Sequence, residues 1–388
     1  MNDTAQIGAK NIHYQRVRAA FNGENVDRPA ICQQAFASSV ASKMLGRDVF
    51  TGSTDLHYAE ARAWMAGEQA HAEFALQLHE DLKDLHRFFD YDIYFIPNRL
   101  TEKPIRQLDE YRFLYGDPDS ANWSICQFDP ESRTFGKITS GRPDPGGDEV
   151  CAQIRALLRA PPPHRNALQK YQLLEWALRD CTDEFVVAGD ACLMIPMQTG
   201  WLEATALEPE LMADYLDWQL EGMLADIRAQ ACAGIWVING GGDFAFNNGP
   251  IYSPFFFHEV MAPRWKKVFD ECRRLKVYYI FRSDGNLWPV ADDLFGWARP
   301  DAFYECDYDA GMRFPELRVR FADLTLIGNV SCDLLRTGTA AEVQRRAEEC
   351  LRAAYPRVII SSSNAILHGT PPENVRALYD TARRYISK

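Results

Sequence analysis

The chain has 388 residues, 47% hydrophobic, 12% aromatic and 25% charged, with a formal net charge of −12. That composition supplies a large apolar core and excludes a disordered chain, and an acidic balance without a basic face excludes a nucleic-acid footprint. No stretch approaches the roughly 20 apolar residues of a membrane span, and MNDTAQIGAKNIHYQRV lacks the apolar stretch of a secretory signal, so a cytoplasmic protein is expected. The ten cysteines are scattered from Cys32 to Cys350 without a CxxC pair, as reduced, buried small hydrophobes would be.

In chain order, Asn11 to Gly23 has helical spacing and ends at glycine, and DRP then leads into a short apolar strand, Ala30-Ile31-Cys32. The run from His57 to Phe89 predicts a helix, and Tyr91 to Pro97 a buried strand. Residues 111–140 break this rhythm with short strand-like segments separated by DPDSAN and DPES, which predicts a β-hairpin insertion. The run Pro161-Pro162-Pro163 reads as a loop between helices. Beyond it strands are expected near Phe185–Ala188, Gly234–Ile238, Val277–Phe281, Ala302–Tyr304, Leu324–Ile327 and Val358–Ile360. Helices alternate with them, including 254–275, 339–353 and a last one over 372–386. Regular alternation through roughly eight units predicts a (β/α)₈ TIM barrel, and such barrels reach this length as a single domain, here 1–388.

In a parallel barrel the reacting groups sit where strands end, so the polar residues just after each strand are the candidates. They are Gln33 and Gln34; Asn98 and Arg99; the glycine run 240–242 with Asp243; Arg282, Ser283, Asp284 and Asn286; and Glu305, Cys306, Asp307 and Asp309. Asn329, Ser331, Cys332 and Asp333 follow, then Ser361 to Asn364 and His368. Each also has a plain structural reading. A carboxylate after a strand often caps the next helix, and His368 lies in LHGTPP, where a surface histidine would be unremarkable. The glycine run matches no dinucleotide or phosphate-loop fingerprint.

Several strings taken together resemble one family. GDFAFNNGPIYSP from Gly242, SDGN at 283–286, LIGNV at 326–330 and above all SSSNAILHGTPPENV at 361–375 resemble the methyltransferase-type branch of the uroporphyrinogen decarboxylase superfamily. VDRP at 26–29 and YDIYFIP are similar more loosely. The resemblance implies a barrel with its cleft at the C-terminal ends of the strands. Two departures matter. The decarboxylases carry RQAGR on the first strand, where this chain has Gln33-Gln34-Ala35-Phe36-Ala37. Loss of both arginines removes about 1.5–3 kcal/mol for each charged hydrogen bond to a polycarboxylate substrate. The coenzyme-M-type methyltransferases hold zinc with His-x-Cys and a later Cys, and the matching positions here are Arg282, Asp284 and Asn364. Arginine cannot ligate a metal at ordinary pH, so no metal is expected.

The resemblance therefore implies a methyltransferase of O-demethylase type in one-carbon metabolism. It would move methyl from a small methoxylated or methylamine-like donor to the cobalamin of a separate corrinoid protein, with no tightly bound cofactor of its own. A homodimer is compatible with this reading. Asp284, His368 and Asp307 are the expected catalytic groups; Gln33, Arg282, Asp243, Asn247, Asn286, Glu305 and Asn364 are expected to bind substrate. The competing readings are a cofactor-independent decarboxylase or lyase of a small acid, with Arg282 on the carboxylate, and a non-catalytic corrinoid or tetrapyrrole binding module.

Overall fold

A computed structural model of the protein describes residues 11–162 and 172–385. Eight short strands carry the fold: β1 Ala30–Ile31, β2 Ile93–Tyr94, β3 Val186–Cys192, β4 Val237–Gly241, β5 Tyr278–Arg282, β6 Ala302–Tyr304, β7 Thr325–Ile327 and β8 Val358–Ile360. They pair in parallel in the order β1-β8-β7-β6-β5-β4-β3-β2, and a parallel bridge between Cys32 and Ile93 joins the two ends. The result is the expected (β/α)₈ barrel.

Strand alternation explains its two cores. Ala30, Ile93, Val186, Val237, Ile280, Ala302, Ile327 and Ile359, one from each strand, meet in a single buried cluster inside the barrel. Their neighbours, including Ile31, Tyr94, Ile238, Phe281, Phe303 and Ile360, join the larger cluster that the surrounding helices cover. The helix Ile12–Asn22, capped by Asn11 and Gly23, sends Val17, Ala20 and Phe21 into the inner cluster and so plugs the N-terminal end. Thr325 Oγ1 donates to the Ala20 carbonyl and Arg357 to those of Phe21 and Asn22. The outer helices follow the usual logic of an apolar stripe: Ala340–Ala354 begins in a Thr339/Glu342 capping box and buries Val343, Ala347, Cys350, Leu351 and Ala354.

Some expectations change. The single helix over His57–Phe89 is two, Thr54–Ala66 and Glu68–Phe89, parted at Gly67. The insertion is a four-stranded antiparallel sheet, because the exposed pair Arg106–Gln107 adds an edge strand to Arg112–Gly116, Trp123–Asp129 and Thr134–Ser140. Its own core of Phe113, Tyr115, Cys126, Phe128 and Phe135 packs on Tyr58 and Ala61 of the first of those helices. β4 runs into the glycine run expected to follow it: a Cβ at Gly240 would come 1.8 Å from the Ala191 carbonyl oxygen and 2.2 Å from the Tyr279 hydroxyl. Glycine there serves strand packing, not loop freedom. Pro163, residues 1–10 and residue 386 lie outside the described residues. Seven of the ten cysteines are buried and free.

Candidate active site

The inward alternation that builds the core continues into the C-terminal mouth. Two residues past Ala188, Val237 and Ile280 come Asp190, Asn239 and Arg282, and Asp284 lies two further. Above them opens a cavity of about 860 Å³. Asp243, Asp284, Asp307, Asp309 and Asp333 line it, with Asn247, Asn248, Asn364 and Arg336, and Met197, Phe246 and Leu367 form an apolar rim. Arg336 is paired with Asp333 at 3.2 Å, so the lining is strongly acidic.

Beneath this floor sits Glu305, 2% exposed. One oxygen each from Asp243, Asp284 and Glu305 lies within 4.8 Å of the others. Carboxylates so close cannot all ionise cheaply. Burial, then the like charge of Asp243, pushes the Asp284 carboxyl up to about 6. Burial, then Asp284 and Asp243, holds Glu305 well above the ordinary carboxylate range. Gln34 Nε2 donates to Glu305 Oε1 at 2.6 Å, and Asn364 Nδ2 to Asp284 Oδ2 at 2.6 Å. Arg282 stands beside them. Burial opposes its charge, but Cys192, Glu305, Asp190 and Asp243 outweigh burial and keep it a cation. Among the described residues no carboxylate lies within salt-bridge distance of Arg282, and its Nε, Asn239 Oδ1 and Glu305 Oε2 are buried without hydrogen-bond partners. Such unsatisfied groups are costly in a closed interior and are natural contacts for a ligand.

Of the expected site residues, Asp284, Asp307, Asp243, Asn247 and Asn364 line the cavity. Asp307 also accepts from the backbone N–H groups of Asp309 and Ala310, so it shapes its own turn. Three stand elsewhere. Gln33 Oε1 accepts from Tyr379, Ser361 and Ser362, and its amide donates to the Ala35 and Asn364 carbonyls, which ties β1 to β8. Asn286 accepts from Trp288 N in a turn. His368 does not line the cavity; its Nδ1 meets Ser39 Oγ at 2.7 Å, and burial, then Arg133 of the inserted sheet, lowers its pKa. Asp190, Asn239 and the rim residues Met197 and Phe246 were not expected. The first two follow from alternation once β3 and β4 are extended past Ala188 and Ile238; nothing local marks the others.

The zinc that coenzyme-M-type relatives use does not fit these residues. Arg282 occupies a ligand position, and Asn364 turns its amide N–H to Asp284 where a thiolate would be needed. Cys306 and Cys332 offer no substitute: the first is fully buried with its thiol on the Phe303 carbonyl, and burial raises the pKa of both.

A family model described as uroporphyrinogen decarboxylase (URO-D) matches residues 191–385, half of the chain. The protein belongs to that family. The matched segment runs from the C-terminal part of β3 to the last helix and contains every carboxylate of the cavity floor. No curated protein matches significantly. Among solved structures a methyltransferase from Methanosarcina mazei is similar in fold, with 16% identity, a TM-score of 0.61 and coverage of 96% of this chain and 98% of that one. Among the described residues no helix is long and apolar enough to cross a membrane.

Proposed function

We propose that this uroporphyrinogen decarboxylase family member is a donor-side methyltransferase of O-demethylase type, acting on a small methoxylated or methylamine-like compound with a separate corrinoid protein as acceptor. One observation carries the reading: the half-buried Arg282 guanidinium, whose Nε has no hydrogen-bond partner among the described residues, stands beside two carboxyls, Asp284 and Glu305, that burial and like charge hold toward their neutral forms. For an ether donor the carbon–oxygen bond breaks as methyl passes to the reduced corrinoid, and the leaving oxygen needs a proton. Asp284 is placed to give that proton, and Arg282 to offset the charge that develops before it arrives. Asn247 and Asn364 would orient the donor, and the apolar rim of Met197, Phe246 and Leu367 suits a partner closing the mouth. Likeness to the Methanosarcina mazei methyltransferase agrees with this choice. The test is incubation with Co(I) corrinoid protein and a panel of methoxylated aromatics, methylamines and methanol, following methyl-cobalt absorbance. Silence across the panel, with decarboxylation of any acid, would replace this reading by its rival, in which Arg282 holds a carboxylate and the neutral acid protonates the carbanion.

Uroporphyrinogen itself should not turn over. Gln33 is locked into the β1–β8 tie and Ala37 carries no charge, so the first strand offers no cation to the substrate's carboxylates. Purified protein should also hold no stoichiometric zinc. Elemental analysis that found about one tightly bound zinc per chain would overturn this assignment of the ligand positions.

A further inference from the structure

Glu305 sits under the cavity floor on backbone that side-chain-bearing residues rarely adopt: its φ is 82°, and that of Cys306 is 37°. Two consecutive left-handed residues persist only where their surroundings hold them. The holding group is Asn329, just past β7. Its amide donates to the Cys306 carbonyl at 2.7 Å and to that of Met312 at 2.9 Å. Arg346, from the helix outside the barrel, grips Asn329 in turn, with Nη2 on Oδ1 at 2.6 Å and Nε on the carbonyl at 3.2 Å. Its guanidinium lies 3.8 Å from the Tyr308 ring centroid, stacked on the same turn. Gly328 makes room, since a Cβ there would stand 2.7 Å from the Glu305 carbonyl oxygen.

We propose that Asn329 and Arg346 are positioning residues for Glu305: they hold the turn after β6 so that Oε1 meets Gln34 and the carboxyl stays beside Asp243 and Asp284 under the cavity floor. The role rests on the reading of this cavity as the substrate site. Neither residue lines the cavity. Asn329→Asp keeps the size and the tolerance for left-handed backbone, but sets an acceptor against two carbonyls. Arg346→Ala loosens the same clamp from outside and serves if the first variant does not fold; Arg346→Lys is the conservative control.

Crystal structures of the variants should show the Gln34–Glu305 contact broken in Asn329→Asp and Arg346→Ala. In the methyl-transfer assay kcat/KM should fall about 100-fold, the scale of a misplaced group in a substrate site, and Arg346→Lys should recover part of it. Combined with Glu305→Gln, neither variant should cause further loss, because both act through that carboxyl. A contact that persists in both variants, or losses that add in full to that of Glu305→Gln, overturns the proposal. If no donor supports turnover, the methyltransferase reading fails while the crystal structures still decide the clamp.

Discussion

Asp284→Asn is expected to cut methyl transfer by about 100-fold or more, the usual contribution of a positioned proton donor, and at the same time to make the protein more stable above neutral pH. The two effects have one cause. Asp284 is half-buried, and that burial, then the like charge of Asp243, raises its carboxyl from 3.8 to about 6 in the folded protein. A carboxyl raised on folding favours the folded state where it is protonated in both states, below about pH 4, and that contribution is lost as pH rises through about 6. Asparagine is neutral throughout and keeps an oxygen for the Asn364 amide. Near pH 8 the variant should therefore gain about 1–3 kcal/mol over wild type, with no gain near pH 4. Wild-type turnover should decline as pH rises through about 6. Urea unfolding at the two pH values, with a pH–rate profile, reads all three. Unchanged turnover, or a stability loss at every pH, would mean that Asp284 is a structural hydrogen-bond acceptor. His368→Ala in the same assay separates two sets of residues, because His368 lies against Ser39 and outside the cavity: a loss as large as that of Asp284→Asn would bring it into the chemistry.

Hydropathy and strand spacing were enough for the barrel, because each strand buries both faces and each helix one stripe, and those patterns are local. They were less informative wherever a contact between distant segments decides. β3 and β4 extend past Ala188 and Ile238 into residues that look like loop, since Asp190 and Gly240 are polar or flexible in isolation and strand-like only when seen paired with each other's neighbours. Listing polar residues after strands found Asp243, Asp284, Glu305 and Asn364. The same rule could not tell Gln33, a tie between the first and last strands, from Gln34, one residue on, which touches Glu305. Chain order hides that distinction because the partners, Tyr379 and Glu305, are hundreds of residues away. The left-handed turn at Glu305 and Cys306 is likewise invisible without its clamp.

The second large effect lies at the opposite end of the barrel. Asp92, fully buried just before β2, accepts from Arg28 Nη1 at 2.7 Å and from the Ile31 backbone N–H at 2.8 Å. His13 Nδ1 lies 2.8 Å and Arg16 Nη1 3.4 Å from its other oxygen. Asp92→Ala would strip this charge from Arg28 and Arg16, which are 5% and 8% exposed, and leave the Ile31 N–H without its acceptor. Removing one partner from a buried ionic network costs about 3–5 kcal/mol, since the remaining charges keep their desolvation penalty. Asp90, paired with Arg28 at 2.7 Å, should hold the figure toward the lower end. Activity per folded molecule should not change, because the N-terminal face of such a barrel carries stability and the C-terminal face chemistry. Urea unfolding paired with the methyl-transfer assay tests both halves. A loss below about 1 kcal/mol would show the network to be worth no more than a surface pair, and a loss of turnover without a loss of stability would place function at this end as well.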